Sequence, residues 1–410
     1  MHLGHFSSAR RLLRVPPLRR RTTRSIYLSA AQMTRAMTVT FLGTCSGGGP
    51  TESRNCSSLV VDCLGDGSLW MVDCAEGTTR QFDFQPADTP VRLKARSVSK
   101  LFITHMHADH TMGIIPMIRN VLFPPPVDPN TSFPTSPLPK IEIYGPAGIR
   151  LFVRSILKMT LTRTADKYVV HELLNADDVP TPCEPPELMH SSEVVGRDIR
   201  CSKDGFWRCF TQGKGTLGDV FVDAGPIVHR DPCLGYIFRE PEAPGRKIVI
   251  LGDTNDPSCI IPLCASPSLL IHEATDAHIP REILPNVRFT LRSFDTVLGN
   301  TLARGHSIPQ MAGEFAKAVG AEKLVLNHIG GRFPAPRHGR DPRLNAIREI
   351  ERQATEAWGS GRQAMAAWDY MRVAIPAPDT MLPPNQPVEQ AMYADPHEGL
   401  VYVNQKKRKW

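Results

Sequence analysis

Long apolar runs are missing from this sequence. No stretch of the 410 residues approaches the ~18 consecutive apolar residues that suggest a membrane-spanning helix. With 41% hydrophobic and 22% charged residues, the composition is typical of a soluble globular protein, and the length suits one large domain or two ordinary ones. The sequence therefore predicts no membrane partner.

Paired cysteines are missing as well. The ten cysteines are scattered, without a Cys-x-x-Cys pair or a regular spacing. This pattern disfavours a disulfide framework or a zinc ribbon, and it favours reduced thiols in an intracellular compartment.

Acidic residues and lysine are absent from residues 1–36, which contain eight arginines. Removing these eight from the 48 Lys and Arg residues leaves 40, against 41 Asp and Glu. The net charge of +7 therefore belongs to the leader, and it does not argue for a nucleic-acid partner. The leader is typical of a mitochondrial transit peptide. The alternatives are a disordered basic leader or a misassigned start, with Met37 as the true first residue.

The C-terminal residues 379–410 read as an extension with a basic tail. Its run Lys406-Lys407-Arg408-Lys409 fits a nuclear-import patch or a solvated tail. The expected location is mitochondrial, with nuclear or cytoplasmic locations as alternatives.

Between these ends, residues 37–378 alternate between strand and helix patterns and predict one α/β domain. The predicted strands are residues 39–42, 58–62, 69–73, 100–104, 141–144, 220–222, 227–229, 234–238, 247–251, 269–272 and 323–327. The predicted helices are residues 111–122, 146–159 and 310–319. Residues 123–140, which are rich in proline, and 174–218 are interpreted as insertions. Two strand-rich halves with interspersed helices predict a four-layer αββα sandwich.

The feature richest in chemistry is His105-Met106-His107-Ala108-Asp109-His110, which follows the buried strand 100–104. Imidazole nitrogen and carboxylate oxygen are the ligands that zinc takes in catalytic sites. Four such groups within six residues predict a metal site, in which His105 and His107 reach one ion while Asp109 and His110 reach another.

Three further polar residues follow apolar strands at later points of the chain. His229, Asp253 and His328 each stand where a predicted buried strand opens into a cleft. Singly, each is more typical of a cap or a turn. Together they supply two histidines and one carboxylate, which completes a dinuclear site.

The order of these residues, and the sequence motifs around them, resemble those of the tRNase Z family of the metallo-β-lactamase superfamily. This family of zinc endonucleases trims the 3′ ends of precursor tRNA, and the resemblance is strongest to its short form, over residues 38–375. The matching motifs begin at Thr40, Val72, Ile143, His229, Gly252, Ile271 (Ile-His-Glu-Ala-Thr), Gly305 (Gly-His-Ser) and Leu326. The resemblance implies the four-layer αββα metallo-β-lactamase fold, and a homodimer is possible because the family is often dimeric.

The resemblance also implies the roles of the site residues. His105, His107 and His229 would hold one Zn²⁺, Asp109, His110 and His328 would hold the other, and Asp253 would bridge them. Manganese or iron would accept the same ligands. Asp109 would orient or deprotonate the attacking water, His306 would protonate the leaving ribose oxygen, and Glu273 would fix the tautomer of His306. Asp73 and His272 would support the metal ligands, and Arg54, Asn55 and Arg332 would contact substrate.

Some family features differ here. Only residues 239–246 separate two predicted strands at the place where the short form carries its tRNA-gripping arm, so the arm is expected to be missing. Glu52 stands where the family's PxKxRN loop has lysine, and a carboxylate there repels phosphate. The motif that begins at His328 is His-Ile-Gly-Gly-Arg-Phe, whereas the family has His-Phe-Ser-x-Arg-Tyr. This difference removes two hydroxyls but keeps Arg332.

These observations favour a zinc-dependent phosphodiesterase that removes the 3′ trailer of precursor tRNA or another RNA. An alternative is a hydrolase of the same fold that acts on a smaller phosphodiester or another ester, as the missing arm suggests. A third hypothesis, a partner protein or pseudoenzyme, is disfavoured because every expected metal ligand and His306 are present.

Overall fold

The computed structural model describes residues 36–377, except residues 88, 90, 123–137, 243–244 and 286. Nearly all of the leader, most of the proline-rich insertion and the C-terminal extension from 379 onward lie outside the described residues. Among the helices of the described part, none is long and apolar enough to cross a membrane.

Strands account for most of the described elements. They are β1 Met37–Gly43, β2 Cys45–Ser46, β3 Ser58–Asp62, β4 Leu69–Val72, β5 Val98–Phe102, β6 Ile141–Pro146, β7 Tyr168–Leu174, β8 Glu193–Val194, β9 Asp198–Arg200, β10 Trp207–Gly215, β11 Gly218–Ile227, β12 Cys233–Arg239, β13 Lys247–Leu251, β14 Leu269–Glu273, β15 Leu324–Asn327, β16 Ile329–Gly330, β17 Met365–Ala366 and β18 Arg372–Ile375. The α-helices are α1 Thr78–Asp83, α2 Ala108–Thr111, α3 Ile114–Val121, α4 Ile149–Met159, α5 Ile261–Cys264, α6 Phe294–Ala303, α7 Pro309–Val319 and α8 Arg343–Trp358.

These strands form two large sheets and one small one. The first sheet has the order β18-β1-β3-β4-β5-β6-β7-β8, and β9 also pairs with β7. The second has the order β10-β11-β12-β13-β14-β15-β17, and β2 and β16 form the small two-stranded sheet. The first and last strands of the domain lie side by side at one edge of the first sheet. There β18 pairs antiparallel with β1, beginning with Met37↔Ile375.

Alternation along the strands separates the chain into four layers. On and just after β5, Phe102 points into a core shared by both sheets, whereas Leu101 and Ile103 pack against helices α3 and α4 on the outer face. The second sheet repeats this arrangement, with Ile250 in the shared core and Val249 packed against α7 and α8. Successive strand side chains point to opposite faces, so two helix-covered sheets stack face to face. The predicted αββα sandwich is confirmed.

The region 174–218 differs from its prediction as an insertion. It contains β8 and β9, which extend the first sheet, and β10, which extends the second. The two short strands predicted at 220–222 and 227–229 are one strand, β11, paired with β12 from Phe221↔Arg239 to Ile227↔Cys233. The sequence pattern did not predict these edge strands because they contain polar and glycine residues. An edge strand tolerates such residues, since it needs only one buried face.

The predicted helix 111–122 is divided into α2 and α3. The break lies at Gly113, whose backbone N–H donates to the carbonyl of Cys74 at 2.8 Å. A Cβ atom at position 113 would lie 1.9 Å from the carbonyl oxygen of Ala75, so the loop after β4 sits directly against this turn. The strand predicted at 100–104 likewise ends at Phe102, which leaves the next residues free to form the site.

The topology gathers the polar residues at one edge. In the first sheet β4 and β5 run parallel, and in the second β13, β14 and β15 run parallel. β11 points the same way as β13, because both are antiparallel to β12. Residues that follow these strands therefore meet at the carboxyl edge, where functional loops of such folds collect.

Candidate metal centre

One group of donor atoms contains His105, His107, His229 and Asp253, whose ligating atoms all lie within 4.8 Å of one another. His105 Nε2 is 2.8 Å from His107 Nδ1 and 3.6 Å from Asp253 Oδ2. His105 and Asp253 are buried. Three imidazoles and a carboxylate thus converge on one point.

A second group contains Asp109, His110 and His328, again within 4.8 Å. His110 Nε2 lies 3.3 Å from His328 Nε2, and Asp109 Oδ2 lies 3.3 Å from the same His328 atom. Asp253 stands between the groups, because its Oδ2 is 3.4 Å from His110 Nε2. The structure therefore brings together all seven residues that the sequence singled out as ligands.

The donor set fits a metal ion. His229 Nε2 is buried and has no hydrogen-bond partner among the described residues, although its other ring nitrogen bonds to the carbonyl of Gly305 at 2.6 Å. An unpaired buried imidazole nitrogen is costly unless an ion or water occupies its lone pair. Neutral imidazoles with carboxylates are the ligands that zinc and similar divalent metals accept.

Charge within the cluster also favours a cation. Burial lowers the pKa of His105 well below its usual value, so this ring is neutral near pH 7 and free to ligate. Burial opposes charge on His110 too, but the carboxylates of Asp253 and Asp73 outweigh it and raise the pKa of His110 well above its usual value. In Asp253 burial is outweighed by His328 and His110, which hold its pKa well below the usual range.

Asp73 fixes the loop that carries the first four ligands. It follows β4 with a left-handed backbone, φ 57°, and its carboxylate accepts hydrogen bonds from the backbone N–H of Thr104 at 2.8 Å and from the Thr104 hydroxyl. It also bonds His110 Nδ1 at 2.7 Å. Because that bond fixes the ring, His110 Nε2 is aimed at the cluster.

Other contacts support the remaining ligands. His107 Nε2 bonds the Asp231 carboxylate at 2.7 Å, which leaves His107 Nδ1 for the cluster. The Thr275 hydroxyl lies 2.9 Å from His328 Nδ1, and the backbone N–H of Gly47 donates to Asp109 Oδ2 at 2.9 Å. No role was predicted for Asp231, Thr275 or Gly47, although the first two lie inside the motifs His-Arg-Asp-Pro and His-Glu-Ala-Thr.

His306 stands beside the cluster, oriented by a buried carboxylate. Its Nδ1 lies 3.0 Å from Glu273 Oε1 and 3.8 Å from Asp253 Oδ2. Glu273 is itself fixed by the backbone N–H of Thr254 at 2.7 Å. Burial opposes protonation of His306, but the hydrogen bond to Glu273 outweighs it and raises the pKa of His306 above its usual value. The ring is therefore suited to donate a proton.

His272 does not support the metal ligands as predicted. It precedes Glu273 on β14, so the two side chains point to opposite faces of the sheet. The ring of His272 packs on Phe315 of α7, with centroids 5.8 Å apart, and burial lowers its pKa. It belongs to the outer helix layer, on the far side of the sheet from the site.

Two predicted substrate contacts are also placed inside the fold. Arg54 is only 2% exposed, and its guanidinium donates to Thr44 Oγ1 at 2.8 Å and to the carbonyl of Ala367 at 2.6 Å. Asn55 is buried, and its side-chain amide donates to the carbonyl of Glu76 at 3.1 Å. Both residues bind protein rather than presenting their donors to a substrate.

Arg332, the third predicted substrate contact, lies at the surface. Its side chain is 38% exposed and pairs with Asp276. Asp276 also receives two hydrogen bonds from Arg292, at 2.7 and 3.0 Å. One carboxylate therefore serves two guanidinium groups, and the local charge stays positive.

The fold and site can be compared with known proteins. The metallo-beta-lactamase superfamily domain matches residues 52–198. Zinc phosphodiesterase ELAC protein 1 of Bos taurus is 29% identical over 398 residues, which covers 83% of this chain and 99% of that protein. Ribonuclease Z of Streptococcus sanguinis is 31% identical over 322 residues, which covers 73% of this chain and 91% of that protein.

A solved structure agrees with these relatives. The crystal structure of human tRNase Z, short form, aligns with a TM-score of 0.57 and 30% sequence identity, and the alignment covers 83% of this chain and 100% of that one. The resemblance noted in the sequence is thereby confirmed. The chain therefore belongs to the ribonuclease Z family of the metallo-beta-lactamase superfamily.

Proposed function

We propose that this protein is a zinc-dependent endonuclease that removes the 3′ trailer from precursor tRNA. The observation that carries the proposal is the complete cluster of seven ligands next to the His306–Glu273 pair. Support comes from relatives named ribonuclease Z and zinc phosphodiesterase, whose length this chain covers almost completely.

Two Zn²⁺ ions are proposed, one for each group of ligands. His105, His107 and His229 would hold the first, and Asp109, His110 and His328 the second, with Asp253 shared between them. Zinc in such a site supplies a Lewis acid that lowers the pKa of a water molecule and neutralises charge on a phosphate.

Asp109 is placed to orient the attacking water and accept its proton. Its Oδ2 is held by the N–H of Gly47 at 2.9 Å, and its side chain is 15% exposed. The hydrogen bond from His328 outweighs burial and keeps the pKa of Asp109 low, so the carboxylate is ionised near pH 7. A fixed carboxylate within hydrogen-bond reach is what general-base assistance needs.

His306 is placed to protonate the leaving oxygen. Glu273 holds its Nδ1 at 3.0 Å, which leaves Nε2 for the substrate. As the water oxygen bonds to phosphorus, the bond from phosphorus to the ribose 3′ oxygen breaks, and His306 gives that oxygen its proton. The tRNA then ends in a 3′ hydroxyl, and the trailer keeps the phosphate.

Cleavage of a precursor tRNA with a 3′ trailer tests the proposal, with metal content counted on the same preparation. We expect a cut near the discriminator base and two metals per chain. A preparation that holds two metals, hydrolyses a small chromogenic phosphodiester and leaves the RNA intact would overturn the tRNA assignment.

A smaller phosphodiester is the second candidate, because one structural observation favours it. Strands β12 and β13 pair as far as Arg239↔Lys247, so only residues 240–246 join them. These seven residues are too few for the tRNA-gripping arm of the short form, in line with the sequence prediction that this connection lacks it. The chromogenic ester assay described above separates the two candidates.

We also propose a mitochondrial location and a homodimer. The arginine-rich residues 1–36 support the first, and nuclear or cytoplasmic locations are its alternatives. A fluorescent fusion of the full chain, compared with one that starts at Met37, tests the location. Light scattering of the purified protein tests the dimer, and a mass of one chain would contradict it.

A further inference from the structure

An arginine-rich surface loop lies beside the metal centre. We call residues 332–343, Arg-Phe-Pro-Ala-Pro-Arg-His-Gly-Arg-Asp-Pro-Arg, the arginine loop. It begins soon after the ligand His328, following strand β16. That strand pairs in parallel with β2, through Ile329↔Cys45 and Gly330↔Ser46, and β2 leads directly to Gly47, which donates to Asp109. The loop therefore leaves the fold at the rim of the site.

Backbone contacts hold the start of the loop in one place. Phe333 is buried and its ring packs on Phe289, with centroids 5.4 Å apart. The carbonyl of Phe333 accepts from Arg54 Nε at 3.3 Å, and the N–H of Ala335 donates to Ser53 Oγ at 2.9 Å. The loop is thus attached to residues 53–54, in the segment that follows β2.

A buried carboxylate holds the end of the loop. Asp341 accepts from the backbone N–H of Arg337 at 2.8 Å and from that of Arg343 at 3.0 Å. Burial is outweighed by these two donors, so the pKa of Asp341 is lowered and it stays ionised. A surface held this firmly loses little conformational entropy when it binds a partner.

The exposed charges of the loop are mainly positive. Arg337, with a side chain 48% exposed, pairs with the highly exposed Glu52. Arg332 shares Asp276 with Arg292. Arg340 is exposed, and its guanidinium has no hydrogen bond or ion pair within the described residues. Such a surface leaves guanidinium groups with spare donors next to a site built for phosphate.

We infer that the arginine loop binds the phosphodiester backbone of the RNA substrate, with Arg337 and Arg340 as the main contacts. The inference rests on the proposed function. Guanidinium forks match phosphate oxygens in geometry and are weakly hydrated, which makes arginine well suited to this contact. Glu52 occupies Arg337 in the free protein, and an RNA phosphate competes with it for the same donors.

The first test is the affinity of a fluorescent precursor tRNA with a 3′ trailer, measured by anisotropy in an Asp109→Ala background so that the RNA stays whole. The double variant Arg337→Gln/Arg340→Gln should bind about tenfold more weakly. For this variant, the slope of log K against log salt concentration should become less negative by roughly one for each lost phosphate contact.

Matched variants make the result specific. Arg352→Gln removes one positive charge, as Arg340→Gln does, from a half-exposed arginine on α8 that pairs with Glu349 and Glu356, and it should bind like the parent. Arg340→Gln alone replaces an exposed guanidinium that makes no hydrogen bond or ion pair within the described residues, so it keeps the fold. Arg337→Lys/Arg340→Lys keeps the charge and should retain most of the affinity. Glu52→Gln frees Arg337 and should tighten binding.

The outcomes separate this inference from the proposed function. Equal affinity in the parent and the double variant would overturn the loop inference, even if the wild type cuts RNA correctly. Equal weakening by Arg352→Gln and by Arg340→Gln alone would also overturn it, because net charge alone would then explain the effect. If loop-dependent binding is found but the wild type leaves the RNA uncut, the loop inference stands and the cleavage proposal fails.

Discussion

Two aspartates of the candidate metal centre differ in how far their side chains are exposed. Asp109 and Asp253 both lie near His328, yet only Asp109 is partly exposed, 15% against 3% of the side chain. Asp109 can therefore reach a water molecule in the cleft, whereas Asp253 is enclosed by histidines. The same chemical group is therefore a candidate base at one position and a candidate shared ligand at the other.

Replacing Asp109 by alanine should abolish turnover. With the carboxylate gone, the second proposed metal site loses a ligand and the water loses its proton acceptor, so we expect kcat to fall by at least about 10³-fold. Far-UV circular dichroism should stay unchanged, because Asp109 contributes little to the core. The control is Asp204→Ala, which removes a half-exposed carboxylate that pairs with Arg208. Turnover retained by Asp109→Ala would contradict the assigned role.

Replacing His306 by alanine should slow RNA cleavage by about 10²–10⁴-fold, the usual contribution of a general acid. The loss should be much smaller with a p-nitrophenyl phosphodiester, because p-nitrophenolate leaves without a proton. Metal content, measured by mass spectrometry, should not change. Loss of metal would identify His306 as a ligand, and equal losses on both substrates would argue against its role as an acid.

At the scale of elements, strand ends and tight loops fix where the ligands point. His229 follows β11, and its ring is held by the carbonyl of Gly305, at the turn between α6 and α7. Gly305 has φ +75°, and a Cβ atom there would lie 2.6 Å from His229 Nδ1. Glycine is required at this turn by both the backbone conformation and the close ring.

Gly305→Ala should therefore displace His229 and weaken metal binding. We expect about 1–2 kcal/mol of lost stability from the left-handed alanine alone, together with a lower metal content after dialysis. The matched control is Gly299→Ala in α6, where a Cβ atom meets no atom of the described residues within 4 Å and helix propensity should stabilise the protein by about 0.5–1 kcal/mol. Unchanged metal content in Gly305→Ala would contradict the argument.

At the scale of the whole molecule, residues 365–375 join the two sheets. The chain passes from β17 in the second sheet to β18 in the first, and Asp369 lies between them. Its carboxylate accepts from the backbone N–H of Asn55 at 2.7 Å, from Thr44 Oγ1 at 2.8 Å and from Gln81 Nε2 at 3.0 Å. Burial nevertheless raises the pKa of Asp369 to about 6.

This pKa makes stability depend on pH in a defined direction. The folded protein holds the Asp369 proton more tightly than the unfolded chain. The contribution is therefore fully present below the unfolded pKa of 3.8 and is lost as pH rises through about 6. The free energy of unfolding of the wild type minus that of Asp369→Asn should fall by about 1–3 kcal/mol between pH 4.5 and 7.5.

Urea unfolding of both proteins at several pH values measures this difference. Both proteins carry the same histidine cluster, so pH-dependent metal loss affects them equally and cancels. A difference that stays constant with pH would show that Asp369 titrates normally, and a difference that rises with pH would reverse the sign of the argument.

The sequence by itself determined the ligand set and the sandwich. His105, His107, Asp109 and His110 lie within six residues after a strand, so local geometry alone brings them together. His229, Asp253 and His328 could be found because each ends an apolar strand, and parallel strands share a carboxyl edge. Helix α8 and the strands within 174–218 were not predicted, because tertiary packing stabilises them more than any local pattern indicates.

Only the tertiary structure decided which polar residues face the site. Spacing cannot tell that Glu273 points at His306 while His272 points at α7, because a strand may present either face to the cleft. Spacing also could not show that the Arg54 guanidinium binds groups inside the fold. Nor could it show that Asp231 and Thr275 contact candidate metal ligands. These contacts join residues far apart in the chain, such as Thr44 with Asp369. They exist only once two sheets have stacked, because packing rather than sequence distance selects long-range neighbours.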